Sequence, residues 1–238
     1  MRNQFSARSL PAVVAVASLA LLSGVTGCAS EKGAEAGAGA KTGGRVVGQQ
    51  DLQGLEMHVV SDAEATTDAA AATAVEPACV PLAKAQAFWL PGSPVTKEWS
   101  KAVSKPLKPE ASDEERLEAY GKGLADTTTR IALGSYEGNG AKEAFALLKT
   151  AADACAGGYT DDFPTTIGPG AAVTGGDEAL SYEMRFEVVG DEGPGMKITT
   201  KLVVVRKGGT LAIFSAVNEI GVAEDPRAIV SVQLDKLG

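Results

Sequence analysis

The sequence predicts an α+β domain: an antiparallel twisted sheet with helices packed on one face and one disulfide. Three observations lead there. An apolar stripe at three- and four-residue steps marks a clear helix between residues 141 and 156, and the last third is β-rich with glycine turns. Two cysteines, Cys79 and Cys155, remain once an N-terminal one is set aside.

The chain opens on an export segment. Its first eight residues carry Arg2 and Arg8 and no acid, and an apolar run follows from Leu10 to Leu22, broken by Pro11 and Ser18. Such a run engages a secretion channel but falls short of the roughly 20 apolar residues of a membrane span. Val25-Thr26-Gly27-Cys28-Ala29 then sets small residues before a cysteine, as the narrow groove of a signal peptidase requires. This stretch resembles the bacterial lipobox. The resemblance implies cleavage before Cys28, a diacylglycerol on its sulfur and an amide-linked chain on the new amine; two or more chains anchor stably where one holds marginally. A soluble secreted protein cut nearby and an uncleaved anchor helix are the competing readings. Residues 1–27 are thus expected to be a lipoprotein signal peptide. Residues 28–50 would be the lipidated cysteine and a flexible tether, and residues 51–238 a single extracellular sensor-like domain.

The tether reading rests on composition. Residues 29–50 are dense in Gly, Ala and charge and almost free of large apolar side chains, so they bury too little to fold. Their flexible reach is about 25 Å. The run up to Lys41-Thr42 faintly resembles a phosphate-binding loop, but Glu35 and Ala40 stand where glycines are required.

Removing residues 1–27 takes away two arginines and no acid, leaving 20 basic and 30 acidic residues, a net charge of −10. That opposes nucleic acid and anionic headgroups, and favours neutral, cationic or apolar partners. An oxidising compartment favours a Cys79–Cys155 bridge; a buried free thiol on the helix stripe is the other reading of Cys155. Metal binding finds no support, with His58 the single histidine and no Cys-x-x-Cys or His-x-x-x-His spacing. No cofactor is expected.

Leu55–Val60 reads as a short strand, and Ser61-Asp62 caps a weak Ala- and Thr-rich helix to Ala74. Pro77 and Pro81 flank Cys79, ahead of a short helix over Leu82–Phe88. Residues 91–111, with four prolines and Trp99, read as a long ordered loop or a strand with turns. Ser112-Asp113-Glu114-Glu115 is a capping box, and Thr127–Tyr136 a β-branched strand. In the helix from Ala141 to Ala156, Ala141, Ala144, Phe145, Leu148, Ala151, Ala152 and Cys155 share one stripe, and Gly157-Gly158 end it. Strands follow over Leu180–Val189, Lys197–Arg206 and Leu211–Val217. Gly190–Gly195 forms a loop tip and Lys207-Gly208-Gly209-Thr210 a hairpin turn. Asp225 caps a closing helix with Pro226 at its first position.

Several segments, in order, resemble actinobacterial lipoproteins similar to the extracellular sensor domain of PknH-type membrane serine/threonine kinases. They are Pro77-Ala78-Cys79, the Thr-rich strand, Ala154-Cys155, Gly176-Asp177-Glu178-Ala179, Val203–Leu211 and Val232–Leu237. The resemblance covers most of residues 51–238. It implies an α+β fold with a cleft beside a twisted sheet and a role in sensing an extracellular ligand. The chain departs from the kinase version in lacking the kinase domain and transmembrane helix and in having one cysteine pair rather than two.

Candidate chemistry is sparse. No Gly-x-Ser-x-Gly is present, His58 has no neighbouring motif, and Asp161-Asp162 are adjacent loop residues that splay apart. Asp177-Glu178 follow Gly175-Gly176 and close a turn before a strand. Trp89 and Trp99 lie on the Pro-rich connection, as a ligand or partner surface or as packing under a long loop. The expected function is a non-catalytic binding or sensor module, lipid-anchored on the outer membrane face and monomeric. It would take a small molecule, cell-wall fragment or partner protein. A lipid or glycolipid carrier is the alternative, and an envelope hydrolase the second.

Overall fold

β-Branched and small residues on a pleated backbone build eight strands. They are β1 Met57–Val60, β2 Thr96–Ser104, β3 Thr127–Ser135, β4 Tyr159–Thr160, β5 Pro164–Pro169, β6 Glu178–Val188, β7 Met196–Lys207 and β8 Thr210–Asn218. All join one sheet, in the order β1-β2-β3-β8-β7-β6-β5-β4, with every neighbouring pair antiparallel. Among the described residues, three helices accompany it: α1 Val80–Gln86, α2 Gly140–Ala154 and α3 Arg227–Leu237. The fold is α+β. The computed structural model describes residues 44–60, 74–104, 112, 114, 115, 118, 126–160, 163–188, 196–218 and 222–238. The export segment with Cys28, the weak helix over 61–73, Asp161-Asp162 and the tip at 190–195 lie outside the described residues.

The sheet is covered on both faces, which corrects the expectation of helices on one. Leu202, Val204, Leu211, Ile213 and Ala132 pack with α1 and α2 through Leu82, Phe145 and Leu148. Val203, Val205, Ala212, Phe214, Ile131 and Leu133 turn the other way and pack with α3 through Ile229, Val230 and Leu234. The physical reason is that β7 and β8 carry apolar residues at both parities. A strand buried on both faces shows a continuous apolar run rather than alternation.

The disulfide is formed. Cys79, ending the 3₁₀ turn Pro77–Cys79, bonds Cys155 at the end of α2, with Cα atoms 5.8 Å apart and a sequence separation of 76. Beyond it Gly158 takes φ +138°, where a Cβ would stand 2.3 Å from the Thr165 carbonyl oxygen. Only glycine turns the chain there into β4.

Several local expectations hold. Glu115 N–H donates to Ser112 Oγ at 3.2 Å, and Ser112 N–H donates to Glu115 Oε2 at 2.8 Å, a reciprocal capping box. Gly208 and Gly209 form the two-residue β7–β8 turn. Asp225 Oδ1 accepts from Arg227 N–H at 3.0 Å, while Pro226 is the cap residue itself, one position earlier than expected. Of the two readings of residues 91–111, the strand holds over the described part: β2 runs through Thr96–Ser104.

Both sheet edges are blunted by short strands and local partners, which limits pairing with other chains. Gln49 Oε1 accepts from Val59 N–H on the outside of β1 at 2.8 Å, and its Nε2 donates to Met57 O at 3.3 Å. On β4, Thr160 O accepts from Val75 N–H at 2.7 Å and Thr160 N–H donates to Glu76 Oε2 at 3.0 Å.

The packed chain begins before residue 51. Val47 and Leu52 are buried against α3. Buried Gln233 on α3 grips the incoming backbone twice: its Oε1 accepts from Val47 N–H at 2.8 Å and its Nε2 donates to Arg45 O at 2.9 Å. Two adjacent valines suffice for this because Gln233 supplies the backbone partners that composition alone does not reveal. Residues 45–50, expected in the tether, thus belong to the packed domain.

Asp51 closes the strap, accepting from Gly48 N–H at 2.7 Å and from Lys236 Nζ at 2.6 Å. The Gly48 N–H, then the Lys236 ammonium, hold its carboxyl below the ordinary 3.8. A depressed folded pKa adds stability that is fully present above the unfolded value and disappears as pH falls through the folded one. The urea midpoint is therefore expected to fall below about pH 4, and to fall less steeply in Asp51→Asn. Equal acid sensitivity in the two proteins would exclude this role.

Candidate functional site

The most chemically featured cleft among the described residues lies where α1 ends above the sheet. Pro81 and Pro77 set the start of α1, and its end is a Schellman motif. Phe88 N–H donates to Ala85 O at 3.0 Å and Trp89 N–H donates to Lys84 O at 2.9 Å. The residue at the left-handed position, where glycine is usual, is Phe88, with φ +66°. A side chain in that conformation costs about 1–2 kcal/mol, and burial of the ring offsets it. Strained residues held by their surroundings cluster at binding sites.

Arg130 on β3 stacks its guanidinium over the Phe88 ring, 4.7 Å from the centroid. The register sets Lys101 on β2 and Ser215 on β8 directly across from Arg130, so all three belong to one sheet face. Ser215 Oγ is fully buried without a hydrogen-bond partner.

A relay crosses the floor. The Tyr159 hydroxyl donates to Gln86 Oε1 at 2.7 Å, and Gln86 Nε2 donates to Thr200 Oγ1 at 3.4 Å. Thr200 accepts in this relay, so its own O–H is a donor for another group. Phe186, stacked on Phe163 at 6.4 Å, and Val217 complete an apolar wall. The cleft encloses about 250 Å³, and its described lining holds no carboxylate.

The residues singled out from sequence lie elsewhere. Trp99 is a strand residue of β2, half-buried against the first core, in keeping with the strand and packing readings. Trp89 follows Phe88 and is half-buried, with Lys84 Nζ 5.6 Å from its ring centroid; it does not line the cleft. His58 is exposed on β1. Asp177 Oδ2 accepts from Gly208 N–H at 2.8 Å and from Arg206 at 2.7 Å, and Glu178 accepts from Arg206 Nε at 2.6 Å. The Gly208 N–H, with the Arg206 guanidinium, holds the Asp177 carboxyl below its usual range. The pair fastens the start of β6 to the β7–β8 turn, as the turn reading expected. Burial raises the Tyr136 phenol above its ordinary pKa, and its O–H donates to Pro91 O at 2.7 Å.

Among the described residues, no cluster of three or more His, Cys, Asp or Glu is placed to hold a metal. The cleft residues Gln86, Arg130 and Thr200 come from three separate segments, so linear spacing could not assemble them. One signal was present: Arg130 interrupts a strand whose next residues, Ile131, Ala132 and Leu133, are apolar at both parities.

No protein-family model matches the chain, and no curated protein matches it.

Proposed function

We propose that the chain is an exported lipoprotein, anchored through Cys28 to the outer face of the membrane, whose domain is a non-catalytic binding module. The observation that carries the binding reading is the cleft at the end of α1. It sets the apolar Phe186 and Val217 beside the polar Gln86, Arg130 and Thr200, the mixed lining of a small-molecule site. The export segment and lipobox support the location, and the likeness to kinase sensor domains supports a sensing role. A lipid carrier is the alternative; among the described residues the clefts measure 210, 430 and 250 Å³, at the lower end of the ~300–1,000 Å³ range of drug-sized sites.

The location is tested by intact mass and membrane fractionation of the native protein beside Cys28→Ala. The native chain is expected in the membrane fraction with a mass showing cleavage and acylation, and the variant in the medium. Equal release of both proteins would overturn the anchor.

A further inference from the structure

The sheet face that carries α3 has a cleft of its own, on the opposite side from the one at α1. It opens where the first turn of α3 meets the end of β2 and the start of β3, and it encloses about 210 Å³. Small side chains make the room: Thr129 pairs in register with Ala102 on β2 and Ala216 on β8, and paired residues share a face. Thr129 is 1% exposed and lines the cleft, yet its hydroxyl enters none of the hydrogen bonds found among the described residues. A buried hydroxyl without a partner is costly, and here its open side is the cleft. Beside it, Ser104 donates its proton to Thr127 O at 3.3 Å, which leaves the Ser104 oxygen as an acceptor.

The charges around this floor have one sign. Glu56, Glu224 and Asp225 line the cleft, and no described Lys or Arg does. Asp225 is committed to Arg227, whose Nε lies 2.9 Å away and whose N–H it caps, and Glu224 has contacts of its own. Glu56 is exposed and makes no ion pair or hydrogen bond with the described residues. The N-terminal dipole of α3 opposes a cation here by about half a charge, and the capping carboxylate of Asp225 offsets it. Leu55, Met57 and Ile229 supply the apolar part of the wall.

Going beyond the cleft at α1 and independent of it, we propose that this second cleft binds a small organic ammonium ion with a short alkyl body. An ammonium has three donors and no acceptor. It donates to Thr129 Oγ1 and Ser104 Oγ, with Glu56 as the countercharge at the rim, and the alkyl body lies against Leu55, Met57 and Ile229. A volume of about seven liquid waters holds a body of a few carbons. The net charge of −8 draws cations towards the chain, and the three carboxylates turn anions away.

The test titrates three probes of one shape, butylammonium, butanol and butyrate, into the full isotope-labelled chain while backbone amide resonances are followed. Butylammonium is expected to shift Met57, Thr129 and Ile229 saturably, with the other two at least tenfold weaker. Thr129→Val keeps the shape and removes the hydroxyl, and should weaken butylammonium about tenfold. Glu56→Gln, at an exposed position, should weaken it about threefold. Ala228→Phe, on the exposed side of α3, should block the cleft if Thr129→Val fails to fold. Butanol binding as tightly as butylammonium would overturn the cation assignment, and unchanged butylammonium affinity in folded Thr129→Val would overturn it equally. Unsaturable shifts spread over distant acidic positions such as Glu143 would show attraction to an acidic surface alone and remove the site. No saturable shift with any probe would remove it as well. The Phe88 and Thr200 amides report on the cleft at α1 separately, so loss of this site leaves the binding-module reading to its own test.

Discussion

Cys79→Ala combined with Cys155→Ala is expected to lower stability by ~4 kcal/mol in the chain-entropy account, which scales with the logarithm of the closed loop. That loop closes a sequence separation of 76 and contains α1, β2, β3 and all of α2. Without the bond, the unfolded chain regains the freedom to separate α1 from the end of α2. The folded state keeps the contacts of Phe145 and Leu148 with the sheet. The loss is therefore in the reference state more than in packing, and the melting temperature should fall by ~10 °C. Urea unfolding of wild type and double variant, each with and without reductant, measures it. Both sulfur-bearing residues are buried, so reductant should act on native wild type slowly and on the unfolded protein at once. Identical midpoints for wild type and variant would show that the bond contributes nothing beyond what packing supplies.

Gln233→Ala is expected to be the second most damaging change, at about 3 kcal/mol. Gln233 is fully buried and satisfies Val47 N–H and Arg45 O together. Deleting it leaves the buried Val47 N–H without its partner and the Arg45 carbonyl to turn to water, or lets the strap peel away and surrender the burial of Val47 and Leu52. Gln233→Met separates the causes, since it fills the volume and removes only the hydrogen bonds. If hydrogen bonding dominates, the two variants lose similar stability and the Val47 amide exchanges rapidly in both. A near-native Gln233→Met would instead assign the effect to the cavity.

Features legible from sequence were those with local causes. The stripe from Ala141 to Cys155 defines α2 because helical spacing is written in consecutive residues. Gly208-Gly209 and the Ser112–Glu115 box likewise act within four positions. The cysteine pair was readable because only two remained to pair. β2 was obscured because prolines bracket it and its core-facing positions include Ser100, Ala102 and Ser104, which carry little hydrophobic signal. β5 was missed because Pro164 and Pro169 form its ends, a composition tolerated near a sheet edge. The strap escaped notice because its main partner, Gln233, lies 186 residues from Val47. The cleft was hidden for a further reason. Phe88 at a left-handed position defies the glycine rule, so the local code predicts helix where the chain in fact turns.

The central β3–β8 seam pairs Ser135 with Thr210 and Thr128 with Val217, so its partners are 75 to 89 positions apart. Contacts of that separation raise contact order and slow folding, whereas the β6–β7–β8 meander closes through local turns. As a chain emerges from its N-terminal end, β2 and β3 are complete long before β8 exists. Through that interval β3 offers an unpaired backbone edge flanked by Ile131 and Leu133, a template for association with other chains. The last strand to appear is thus the one that seals the middle of the sheet. On the export reading, the time for residues 136–218 to follow β3 through the secretion channel sets how long the half-built molecule stays open to aggregation.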